Sequence, residues 1–112
     1  MKYKDGVIEY LSKRIAGEPV IIQLSAKIRN AMCTADRISQ EVAGKEIVIT
    51  SLIDGVHSKN SRHYSGNAFD MRVWIYTDSQ RSQITKRLKS ELGRDFDVID
   101  EGDHIHIEYD PK

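Results

Sequence analysis

The sequence predicts an α+β domain in which a small, mainly antiparallel sheet packs against helices. Three observations predict it: one long stretch with apolar residues at three- and four-residue steps, short β-branched or alternating runs after it, and turn signals between them. A short helical segment is expected over residues 7–15. Pro19 then opens a longer helix whose apolar stripe, Ile21, Leu24, Ile28, Ala31, Ala35, Ile38 and Val42, must face the core. The stripe is too short for a coiled coil and is followed at once by a strand. Gly44 stops the helix, and the β-branched run over 46–51 reads as a buried strand.

A polar, turn-rich loop over 54–61 leads to a second strand over 68–75, on which Asp70 should lie. Trp74 and Tyr76 are expected to finish that strand and pack at its edge, with an aromatic rim for a glycan or peptide as the alternative. Thr77 or Asp78 caps a further helix carrying Ile84, Leu88 and Leu92 and closed by Gly93. The charges of that helix, Arg81, Lys86, Arg87, Lys89 and Glu91, read as a solvated face. Two final strands, 96–99 and 104–109, form a hairpin around Glu101-Gly102.

The 112 residues are read as one domain, 1–112, with no internal repeat or linker. Its 17 basic and 17 acidic residues cancel, so no global field draws it to nucleic acid or an anionic membrane, and binding must come from a local site. Cys33, the single cysteine, is expected to be reduced and buried, which excludes a cysteine-based zinc finger. No apolar run is long enough for a signal peptide or a membrane span, so synthesis is expected to end in the cytoplasm, with no membrane insertion. A monomer is expected.

Chemistry concentrates in two segments. The first runs Ser61-Arg62-His63-Tyr64-Ser65-Gly66-Asn67-Ala68-Phe69-Asp70, and the second is Asp103-His104-Ile105-His106. Imidazole and carboxylate ligands with a base nearby are what a hydrolytic zinc site needs. His63, Asp70 and His106 are the candidate ligands for one Zn²⁺ per chain, and Asp103 is the candidate base. Period-two geometry puts Ala68, Asp70 and Arg72 on one strand face and His104, His106 and Glu108 on another, with Phe69, Met71 and Val73 turned to the core. His104 can serve as a neighbour that bonds substrate or oxyanion, or as the ligand in place of His106. Strict alternation would send Asp103 away from His106, so Asp100 and Glu101 remain rivals for the base on geometry alone.

The pattern Ser-x-His-x-x-Gly-x-Ala-x-Asp at 61–70 with Asp-x-x-His at 103–106 resembles the zinc D-alanyl-D-alanine carboxypeptidase and L-alanyl-D-glutamate peptidase family. Phage endolysins belong to that family, and its fold also houses the hedgehog signalling domain. The resemblance covers roughly residues 20–110 and implies a hedgehog/DD-peptidase-like fold. It implies that His63, Asp70 and His106 bind zinc, that Asp103 is the catalytic acid/base, and that Ser61 and His104 support them. The implied substrate is the peptidoglycan stem peptide, cut after release to the cell wall or from a phage particle. Many members carry an arginine in the loop ahead of the first ligand to stabilise the oxyanion, whereas none occurs here between Thr50 and Ser61. His57, Arg62 or Arg72 then stand as sources of that charge. The alternative from another class is a zinc-holding structural or recognition module without turnover. Which peptide bond is cut depends on cleft shape set by loops over 52–60 and 75–79.

Overall fold

The computed structural model describes residues 1–4, 26–52 and 68–111. Their elements in chain order are β1 (Lys2–Tyr3), α1 (Ala26–Ala43), β2 (Val48–Ser51), β3 (Ala68–Arg72), α2 (Asp78–Leu92), β4 (Phe96–Asp100) and β5 (His104–Tyr109). The expected segment over 7–15 and the start of the long helix, with Ile21 and Leu24, lie outside the described residues. The five strands form one sheet in the order β1-β2-β3-β5-β4, antiparallel except for the β1–β2 pair. The fold class is therefore α+β, as the sequence predicts. The short parallel edge strand β1 was not foreseen, because two residues are too few to show a period.

One core joins the helices to one face of the sheet. Ile28, Ala31, Met32, Ala35 and Ile38 of α1 and Ile84 and Leu88 of α2 pack with Phe69, Met71, Val98, Ile105 and Ile107. On β3 and β5 these residues alternate with Asp70, Arg72, His104 and His106, so burying them commits the other sheet face to that polar set.

Cys33 departs from expectation: it is exposed. The core stripe uses Ala31, Met32 and Ala35, and Cys33 falls instead in the row Asn30, Cys33, Arg37, Gln40, which is solvent-facing throughout. Gly44, at φ +66°, ends α1 with its N–H donating to the Gln40 carbonyl at 2.9 Å. Asp36 then ties helix to sheet by accepting the Ile47 N–H at 2.9 Å.

β3 ends at Arg72, three residues sooner than the alternation implies. The chain turns there, with the Tyr76 N–H donating to the Val73 carbonyl at 3.0 Å. Trp74 is thus 71% exposed at the turn, while Tyr76 is buried and donates to the Ser39 hydroxyl at 2.6 Å, which in turn donates to the Lys45 carbonyl at 2.5 Å. Thr77 is the cap of α2: its hydroxyl accepts the Gln80 N–H at 3.2 Å and the Gln80 side chain accepts the Thr77 N–H at 3.0 Å.

The charged face of α2 is only partly free. Arg87 bridges Glu91 on its own helix and Glu41 on α1, at 2.9 and 2.6 Å. Arg81 holds Asp100 at the end of β4 at 2.7 Å, which occupies one of the rivals for the base. The β4–β5 turn closes through Gly102, at φ +97°, whose N–H donates to the Asp100 carboxylate at 3.0 Å.

Candidate metal centre

The site is built by strand register. Ala68, Asp70 and Arg72 of β3 stand directly opposite Glu108, His106 and His104 of β5. Directly opposed residues have Cβ atoms about 5 Å apart, so an aspartate and a histidine in this position meet without distorting the backbone. Asp70 Oδ1 and His106 Nδ1 are 2.7 Å apart. On its far side β3 pairs with β2, and the register shifts between Ile49 and Ser51, where Ser51 comes opposite Asp70.

Glu108 completes the other side of the imidazole, with its carboxylate 3.0 Å from His106 Nε2. A histidine with one nitrogen toward a ligand position and the other held by a carboxylate is the usual arrangement around a bound metal. The hydrogen bond to Asp70, reinforced by Glu108, pushes the His106 imidazole up to about 9 despite burial acting the other way. The field that favours a proton between these groups also favours a cation.

Glu101, from the turn, adds a third donor. Its Oε1 lies 4.0 Å from His106 Nδ1 and 3.4 Å from His104 Nε2. Asp70, Glu101 and His106 together offer three ligand atoms within 4.8 Å of one another, and such a carboxylate–imidazole set fits a divalent metal ion. Glu108 also neighbours Asp97 and Asp110, which extends the negative potential along β5.

His104 sits at the other end of the site. Its Nε2 is 3.6 Å from Asp70 Oδ2 and its Nδ1 is 2.5 Å from Asp103 Oδ1. Burial pulls the His104 imidazole down, but the Asp103 hydrogen bond and the charges of Asp70 and Glu101 outweigh it and leave it above its ordinary value. Asp103 is held below the usual carboxylate range, chiefly by that same hydrogen bond. Asp103 therefore meets the site through His104 and is otherwise solvent-exposed, whereas Glu101 stands nearer to His106.

Asp70 and His104 open into a cleft of about 410 Å³ that Arg72, Trp74, Asp103 and Lys4 also line. Two other surface clefts are of similar size, so volume alone does not mark this one; the clustered carboxylates and imidazoles do. Of the residues singled out in the sequence, the fold brings together Asp70, Arg72, Asp103, His104 and His106. His63, His57, Ser61 and Arg62 lie outside the described residues. Two contributors were under-read: Glu108, visible as the next residue on the His106 face, and Glu101, considered only as a base.

No protein-family model, curated protein or solved structure matches this chain. Among the described residues, no helix is long and apolar enough to cross a membrane.

Proposed function

We propose that this protein is a zinc metallopeptidase that hydrolyses peptide bonds of peptidoglycan, of the D,D-carboxypeptidase or L-Ala-D-Glu endopeptidase type, as part of phage-related cell-wall lysis. The observation that carries the reading is the Asp70–His106 pair, 2.7 Å apart on adjacent strands and backed by Glu108. The two sequence motifs support it from the other side, by adding His63 as a third ligand for Zn²⁺.

Zinc, when bound, polarises the scissile carbonyl and makes water acidic enough to attack near neutral pH. The chain's own residues do the rest. Glu108 fixes the ring of His106 so that Nδ1 is offered beside Asp70. Asp103, ionised at neutral pH, takes the proton from the attacking water and returns it to the leaving amine. His104, whose pKa is raised by Asp103, Asp70 and Glu101 against the pull of burial, offers an N–H to the oxyanion that forms in the cleft, a donor the loop ahead of His63 does not provide through arginine.

Incubating purified peptidoglycan with the zinc-loaded protein and reading new amino and carboxyl termini by mass spectrometry tests the proposal. Cleavage at one type of stem-peptide bond, lost with Asp103→Ala while zinc stays bound, is the expected result. Stoichiometric zinc with intact peptidoglycan would instead favour a module that holds zinc for recognition or stability.

A further inference from the structure

The cleft beside Asp70 carries two fixed cations, Arg72 and Lys4, along with Asp70, Asp103 and His104. Arg72 stands two residues along β3 from Asp70 on the same face and directly opposite His104. Its guanidinium lies 4.7 Å from the centroid of the Trp74 ring, which fixes its plane over the turn. Arg37, Arg81 and Arg87 each hold a carboxylate, but Arg72, half-buried, makes no ion pair among the described residues. Lys4 lines the same cleft across β2, where its N–H donates to the Ile49 carbonyl at 2.8 Å. An oriented guanidinium without a protein anion, backed by a second cation, is a carboxylate receptor.

Spacing identifies which carboxylate. Two residues of strand span about 7 Å. One extended peptide residue of about 3.5 Å plus a hydrogen bond of about 2.9 Å covers nearly the same distance. We propose that Arg72, oriented by Trp74 and assisted by Lys4, binds the α-carboxylate of the residue released as the amine, and so sets the specificity of the cleft. The inference rests on the peptidase reading. Both bonds considered above satisfy it, because the terminal D-Ala and the γ-linked D-Glu each carry a free α-carboxylate on the leaving side. A stem peptide amidated at that carboxyl is then a poor substrate.

The test compares acetyl-D-Ala-D-Ala and acetyl-L-Ala-D-Glu with their α-carboxamides, using the zinc-loaded full chain and its Arg72→Gln and Arg72→Lys variants. For the wild type, kcat/KM is expected to favour the acid of the cleaved pair by about 10- to 100-fold, the range of one charge-assisted hydrogen bond. Arg72→Gln should erase that ratio by weakening the acid alone, and Arg72→Lys should keep part of it, with zinc content and far-ultraviolet circular dichroism unchanged. Trp74 is the single tryptophan, so its fluorescence also reports binding of N-acetyl-D-alanine against N-acetyl-D-alaninamide without any turnover. Equal treatment of acid and amide by the wild type, or an undiminished ratio in Arg72→Gln, overturns the inference. Arg72-dependent preference for the acid in fluorescence, with no hydrolysis of any peptide, sustains Arg72 as a carboxylate site and refutes the peptidase reading, and with it the assignment of that carboxylate to a leaving residue.

Discussion

Asp70 and His106 occupy directly paired positions on β3 and β5, and their side chains meet at 2.7 Å. The contact links two segments 36 residues apart in sequence, and it forms only if both strands adopt the register that buries Phe69 and Ile107 on the opposite face. Folding and site formation are thus one event: slipping β5 by one residue would replace His106 with an isoleucine.

The pair gives the metal-free protein a definite pH dependence. His106 titrates near 9 when folded against an ordinary value of 6.5, so its stabilising contact is fully present below about pH 6.5 and is lost as pH rises through about 9. Thermal melts of chelator-treated protein should show Tm falling across that window, and His106→Gln should remove this component. Zinc affinity should run the other way, rising with pH and releasing a proton on binding, as calorimetry in buffers of different ionisation enthalpy would detect. A zinc affinity independent of pH between 6 and 9 would contradict the pairing.

Glu108 orients His106 through Nε2 and has no other part in the mechanism. Glu108→Gln should weaken zinc binding by about 10- to 100-fold while the protein stays folded. Competition against a chromogenic chelator measures this directly. An unchanged affinity would mean the imidazole is held by packing alone.

Asp103 and Glu101 are two carboxylates beside His104, and the proposed mechanism gives the proton transfer to Asp103. Asp103→Ala is expected to lower kcat by at least about 100-fold, with zinc retained. Glu101→Gln should cost less than that, since the proposed mechanism gives Glu101 no proton to move, although it stands 3.4 Å from His104 and 4.0 Å from His106. Steady-state kinetics on a cleaved peptide decide it, and the reverse ranking would make Glu101 the base.

The buried hydroxyl chain Tyr76–Ser39–Lys45 fastens the β3–α2 turn to α1. Tyr76→Phe removes the donor but leaves Ser39 bonded to the Lys45 carbonyl, so a loss of about 1 kcal/mol is expected in urea unfolding. The zinc site should be untouched.

Much of this architecture was legible in the sequence because burial imposes periods. The α1 stripe, the Thr77 cap, the Gly44 and Gly93 stops and the inward Phe69 and Met71 all follow from spacing and local backbone chemistry. The convergence of Asp70, His104 and His106 on one face followed from alternation on two strands. Cys33 lies mid-helix directly beside the stripe residue Met32, and Trp74 lies two residues beyond the end of β3; at both positions only the packed neighbours decide the side. Glu108 and Glu101 were under-read because a carboxylate beside a histidine gains meaning from cross-strand distance, which sequence does not carry.

Whether Asp70 and His106 are two ligands of a zinc centre is decided by native mass spectrometry of the zinc-equilibrated protein and its Asp70→Asn, His106→Ala and His63→Ala variants. One zinc per chain is expected in the wild type and loss of that zinc in each variant, with the folded charge-state distribution preserved. A wild type without zinc, or His106→Ala retaining it at the same occupancy, would rule the ligand pair out.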